Sequence, residues 1–169
     1  VADVPEGFDA RLLACLPRLR RYARALTGDS ASADDLVQDT VERGWSRVGQ
    51  WRPDGDLRAW LFGIMHNLHI DQLRRLPAPA VALDDGEPPS PPATTALDLR
   101  DLERALQQLP PAQREVLLLV ALEDMRYEDV AATLGIPLGT VMSRLSRARE
   151  NLRRMMAGEP PAANLKVVK

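Results

Sequence analysis

Aromatic residues are scarce in this 169-residue chain, making up only 4% of it. Sandwiches and barrels draw on aromatic and β-branched side chains to pack their pleated faces, whereas the apolar content here is mostly Leu, Ala and Val, which favours helices. Cysteine occurs once, which rules out an internal disulfide framework. Cys15 lies in a leucine-rich helical pattern, where a buried structural thiol is expected rather than a nucleophile. No apolar run reaches the roughly 18 residues of a membrane span, and the start "VADVPEGFDARL" lacks the basic segment and apolar core of a signal peptide. A soluble, cytoplasmic, all-α protein with no membrane insertion is therefore expected, with apolar content sufficient for one ordinary domain or two small ones.

A strong net charge is also missing, since the formal total is −2. A polyanion is bound by a patch rather than by a total, so the distribution decides more than the sum. Residues 1–75 balance eleven basic against eleven acidic groups, residues 76–97 carry three acids and no base, and residues 137–157 carry five arginines against Glu150 alone. The basic charge is thus concentrated near one end.

Between Leu76 and Leu97 the chain reads "LPAPAVALDDGEPPSPPATTAL", with six prolines and no sustained helical or strand period. Proline removes backbone donors and holds φ near −65°, so an extended, flexible tether is expected between two small helical domains. The division is 1–75, linker 76–97, 98–157 and a tail 158–169. In the first domain Leu12, Leu13, Leu16, Leu19, Tyr22, Ala23 and Leu26 recur every three or four residues, with Gly28 as the stop. Next, Ser32 and Asp35 resemble a capping box ahead of a stripe of Ala33, Leu36, Val37, Val41, Trp45 and Val48. After the loop "GQWRPDGD", a third helical pattern takes Leu57, Leu61, Ile64, Leu68 and Leu73 as core candidates.

In the second domain a helix runs through Leu99, Leu102, Leu106 and Leu109, and Pro111 suits the first turn of the next, where its missing N–H costs nothing. The short helix "YEDVAATLG" follows, with Arg126 where a capping Ser or Asp would be expected and Gly135 at its end. From Pro137 onward Leu138, Val141, Leu145, Ala148, Leu152 and Met155 form one stripe over four to five turns, so helix, tight turn and helix make a helix-turn-helix. Its second helix leaves Thr140, Ser143, Arg144, Ser146, Arg147 and Arg149 on the outer side. Hydroxyls near a helix N-terminus bond phosphates alongside backbone N–H groups, and Arg reaches guanine edges or neutralises phosphate. The same face would otherwise be a solvated basic surface, and the preceding turn favours duplex DNA.

These residues carry a family resemblance. "YEDVAATLGIPLGTVMSRLSRARENLR" resembles the promoter-binding region of bacterial RNA polymerase sigma factors of the extracytoplasmic-function (ECF) group, within the sigma-70 superfamily. "ADDLVQDTVERGW" resembles the core-polymerase-binding region of that family and "LRAWLFGIMHNLHIDQLRR" its −10 element region, with "LPPAQREVLLL" and the linker in matching order. The resemblance implies that Asp35, Leu36, Gln38, Asp39 and Glu42 meet a coiled coil of the polymerase largest subunit, and an acidic, amide-bearing helix face suits a basic partner. It implies that the loop from Ser46 to Asp56 captures a base flipped from the −10 element. There Trp51 is either a stacking wall for that base or a plug holding the loop to the core. Asn67 matches a −10 base contact, and Arg74 and Arg75 are phosphate candidates. The −35 duplex falls to Thr140, Ser143, Arg144, Ser146, Arg147 and Arg149. Gly63, His66 and Met142 stand where many members carry basic residues.

The implied function is promoter-specific initiation as a subunit of core RNA polymerase, with promoter DNA and an anti-sigma factor as further partners, no cofactor and no catalytic residue of its own. Two other readings remain. An autonomous helix-turn-helix regulator would bind its operator without polymerase. An enzyme built on His66, His69 and Asp71 would need a metal, yet no further Cys or His stands by to complete a zinc shell, so no metal site is expected.

Overall fold

The computed structural model describes residues 4–77 and 96–159, so the tether expected at 76–97 lies almost wholly outside the described residues, as do all but two positions of the tail. Every regular element among the described residues is helical. Helix α1 spans Phe8–Thr27, α2 Ser30–Ser46 and α3 Leu57–Arg75, with a 3₁₀ turn at Val48–Gln50. The second group comprises α4 (Ala96–Gln108), α5 (Pro111–Ala121), α6 (Tyr127–Leu134) and α7 (Leu138–Met156).

Helix α1 buries Phe8, Leu12, Leu19, Tyr22, Ala23 and Leu26 along one stripe. It stops at Gly28, whose φ of 72° is left-handed and whose N–H bonds to Arg24 O. Asp29 caps α2, its carboxylate accepting from Ser32 N at 2.8 Å, so the helix starts before the expected capping box and Ser32 receives the cap rather than supplying it. Gly44 of α2 lets α3 approach closely, since a Cβ there would lie 3.0 Å from Leu61 Cδ2. As expected, Pro111 opens α5, Arg126 leaves α6 without a side-chain cap, and Gly135 closes α6 at φ 64°.

Helix α3 departs from its expected single stripe. Leu57, Leu61 and Ile64 are buried, Leu68 and Leu73 only partly, and Phe62, Met65 and His69 are buried as well. The cause is tertiary: α2 packs on one side of α3 and α6 of the second domain on another. A helix covered on several sides has no solvent stripe to alternate with. Gly63 sits at that second contact, where a Cβ would stand 3.4 Å from Thr133 O.

The two domains thus pack on each other with a continuous apolar core, beside a set of polar contacts that periodicity did not announce. Arg114 on α5, 8% exposed, donates to Leu106 O at 2.7 Å, Gln107 O at 2.7 Å, Leu109 O at 2.9 Å and Leu26 O at 2.8 Å. Carbonyls at the C-terminal ends of α1 and α4 lack helical partners and carry the negative end of the helix dipole, so one guanidinium caps two helices from different domains. Burial lowers its pKa. Beside it Gln107 Nε2 donates to Ala25 O at 2.9 Å, and its side chain fills the space above Gly28.

Candidate polymerase and nucleic-acid interfaces

Asp35, Gln38, Asp39 and Glu42 are exposed on α2, two turns of helix with no basic residue among them. Gln38 Nε2 donates to Glu42 Oε1 at 3.1 Å, holding the amide against the carboxylate one turn on. Leu36 is a correction: fully buried, it anchors α2 in the core and cannot touch a partner. Its i, i+1 neighbour Asp35 faces solvent because consecutive helical residues diverge by about 100°.

A groove between α2 and α3 is lined by Asp39, Glu42, Arg43, Leu68, Asp71 and Arg75, and a second, adjoining groove by Arg43, Arg47, His66, Asn67, Leu68, Asp71 and Arg74. The acidic candidates of α2 and the −10 candidates of α3 therefore meet across shared walls. Asn67, Arg74 and Arg75 are exposed, with the two arginines in the last turn of α3, where the helix dipole favours cations.

Trp51 is the second correction. It is 5% exposed, tilted against Phe8 with ring centroids 5.5 Å apart, and lies beneath the Arg11 guanidinium. Both faces are occupied, so in this arrangement it plugs the loop into the core and offers no wall to a base. At the tip of the loop Arg52, Pro53 and Asp54 face solvent, as do Ser46, Arg47, Gly49 and Gln50 before Trp51 and Asp56 at its end.

On α7, Ser143, Ser146, Arg147 and Arg149 are exposed, while Thr140 and Arg144 are half-buried. Val141, Leu145 and Ala148 turn inward, whereas Leu138, expected in the stripe, is 40% exposed at the first turn. The lone acid of this stretch, Glu150, bonds Arg153 at 2.9 Å, and that bond holds its pKa below the usual value. Arg144, Arg147 and Arg149 have no acidic partner among the described residues. A basic face with its charge unspent is what duplex phosphates require.

The histidines occupy separate surroundings. His66 Nδ1 lies 2.6 Å from Glu115 Oε1 across the domain interface. His69 is buried, its Nε2 unpartnered, and its pKa is lowered by burial first, with Arg114 and His66 adding to the effect and Glu115 opposing it. No cluster of three metal-ligating side chains occurs among the described residues.

Buried charge at the interface was not foreseen. Glu123, fully buried, accepts from Arg21 at 3.1 Å, has Arg18 at 3.8 Å, and its backbone carbonyl accepts from Arg58 at 3.2 Å. Tyr22, buried beneath, has its pKa raised by burial and then by Glu115 and Glu123. "REVLLL" offered a hint in two charges abutting an apolar run, but the partners that tie them to the first domain, His66 for Glu115 and Leu26 O for Arg114, stand 49 and 88 residues away in the chain.

Comparison with known proteins places this arrangement. Residues 12–66 match the family described as the Sigma2 domain of PhyR, and residues 99–152 match Sigma-70, region 4. The chain is 36% identical over 149 residues to the ECF RNA polymerase sigma factor EcfG of Rhodopseudomonas palustris, covering 86% of this chain and 82% of that one. It is 34% identical over 140 residues to SigM of Mycobacterium tuberculosis, covering 82% and 71%. Among solved structures, RpoE of Bartonella quintana, in complex with the anti-sigma factor NepR, superposes with a TM-score of 0.75 at 33% identity over 92% of this chain and 99% of that one. CnrH, in complex with the cytosolic domain of CnrY, gives 0.64 at 29% over 89% and 86%. The chain belongs to the ECF RNA polymerase sigma factors.

Proposed function

We propose that this chain binds core RNA polymerase and directs initiation at specific promoters, with its sites divided between its two domains. The observation that carries the reading is the pair of exposed faces of opposite character: acid and amide on α2, unpaired arginine on α7. Asp35, Gln38, Asp39 and Glu42 are assigned to the polymerase. Asn67, Arg74 and Arg75 take the −10 strand, and Thr140, Ser143, Arg144, Ser146, Arg147 and Arg149 the −35 duplex. The domain limits 1–75 and 98–157 follow from that division, and the polymerase carries the chemistry.

The packed domains constrain how this works. The −10 and −35 elements stand about 25 base pairs apart, roughly 85 Å of duplex, whereas a packed body of this length measures only about 40 Å across. Joining polymerase therefore separates the domains, and the chain from Arg75 to Ala96 extends up to roughly 70 Å, enough to follow. An anti-sigma factor, like the NepR bound to the RpoE relative, acts by holding the packed form. No helix among the described residues is long and apolar enough to cross a membrane.

Footprinting with and without core polymerase tests this. Protection of both elements is expected only with core present, and Asp39→Ala is expected to weaken core binding while the α7 contacts persist. A sharp palindromic footprint from the chain alone would instead mark an autonomous regulator.

A further inference from the structure

Arg11 lies on α1, outside every segment assigned above to DNA and one residue before the matched region 12–66. Its guanidinium nevertheless meets the loop from Trp51 to Asp56 at three places. Nη1 donates to Pro53 O at 3.0 Å, Nη2 to Gly55 O at 3.4 Å, and the guanidinium carbon stands 4.7 Å from the Trp51 ring centroid. The loop is otherwise held at its edges and by one turn of its own. Trp51 is rooted on Phe8, Gly55 N closes a turn onto Arg52 O at 2.8 Å, and Asp56 caps α3 by accepting from Arg58 N at 2.9 Å.

We propose that Arg11 is a positioning residue for −10 recognition: it clamps the loop from above so that the exposed tip, Arg52 to Asp54, keeps one shape for an unstacked base. This rests on the proposed −10 role of the first domain, with the loop taking the base that the family resemblance implies. Arginine suits the task because its planar fork reaches two carbonyls while its face lies on an indole, whereas lysine is a point charge that cannot do both. The tip has no other long-range tie among the described residues, so without the clamp only the local turn from Gly55 N to Arg52 O restrains it. A loop ordered before binding saves the cost of ordering it on the DNA.

Because Arg11 is exposed, it has a rival role as a plain phosphate contact, and Arg11→Lys separates the two. The test uses full-length chain with core polymerase on a promoter fork recovered by that holoenzyme from genomic fragments, with each base in turn at the unstacked position. Arg11→Ala is expected to weaken binding of the preferred base about tenfold, the worth of one stacked cation and two hydrogen bonds at an exposed site. Discrimination among bases should narrow, Arg11→Lys should behave like Arg11→Ala, and the salt dependence and core affinity should stay unchanged. Full rescue by Arg11→Lys, or a salt slope reduced by about one in Arg11→Ala, would assign Arg11 to phosphate and overturn the proposal. Unaltered discrimination in Arg11→Ala, with or without a lower melting temperature, would overturn it too. If the unsubstituted holoenzyme shows no base preference there, the assignment of the loop itself fails.

Discussion

Arg114, Glu115 and Glu123 are charged, buried and set within ten residues of one another, and each is tolerated for a separate reason. Arg114 replaces water with orphan carbonyls, Glu115 meets an imidazole, and Glu123 draws two half-exposed arginines onto its carboxylate. The asymmetry of the last pair makes a prediction. Arg21→Ala leaves a buried carboxylate with Arg18 alone at 3.8 Å, whereas Glu123→Gln leaves arginines that water can solvate. Denaturant titration should show Arg21→Ala costing about 2 kcal/mol and Glu123→Gln distinctly less; the reverse order would mean that the carboxylate is not desolvated. His69 gives a pH dependence. Its lowered pKa means that the unfolded chain takes up a proton the folded one refuses, so stability is whole above about 6.5 and falls as pH drops toward the folded value. His69→Leu should flatten that decline in melting temperature, and an unchanged decline would place its origin elsewhere. At this scale the exposed residues of α2 and α7 were legible in the sequence because helical periodicity alone sets them apart from the core. Leu36 was misjudged, and Trp51 left open between wall and plug, because a motif position says nothing about which way a side chain points.

Two glycines that end helices show how an element depends on what packs over it. Gly28 and Gly135 both adopt left-handed φ, at 72° and 64°. A Cβ at Gly135 meets open space, so Gly135→Ala carries only the conformational cost of about 1 kcal/mol. At Gly28 it would lie 2.4 Å from Gln107 Cδ, and Gln107 would have to abandon Ala25 O. Gly28→Ala should therefore lower the melting temperature more than Gly135→Ala, and should also loosen the domain contact, seen as faster amide exchange at the end of α4. Equal shifts would mean that Gln107 moves without loss. Both stops were legible, since Gly after an apolar period marks a helix end. The second duty of Gly28 was hidden, because Gln107 stands far along the chain. Helix α3 failed as a stripe for the same reason: its burial is decided by α6, a helix from another domain.

For the whole molecule, the order of motifs carried most of the reading. "DDLVQDT", "RAWLFGIMHN" and the helix-turn-helix identified the family before any coordinate, and the fold agrees with two helical domains. Their docking could not be read, since it adds to a shared apolar core the polar contacts of Arg114, Gln107, Glu115 and Glu123, none of which belongs to a periodic pattern. That docking now joins the two halves of the function: the packed form is too short for both promoter elements, and the polymerase-bound form must trade these contacts for DNA and protein. The most direct test is run-off transcription by core RNA polymerase on genomic fragments, with and without the chain. Discrete transcripts with defined starts should appear only when the chain is present, and should be weakened by Asp39→Ala through core binding and by Arg147→Ala through the −35 duplex. The same transcripts with and without the chain would contradict the account.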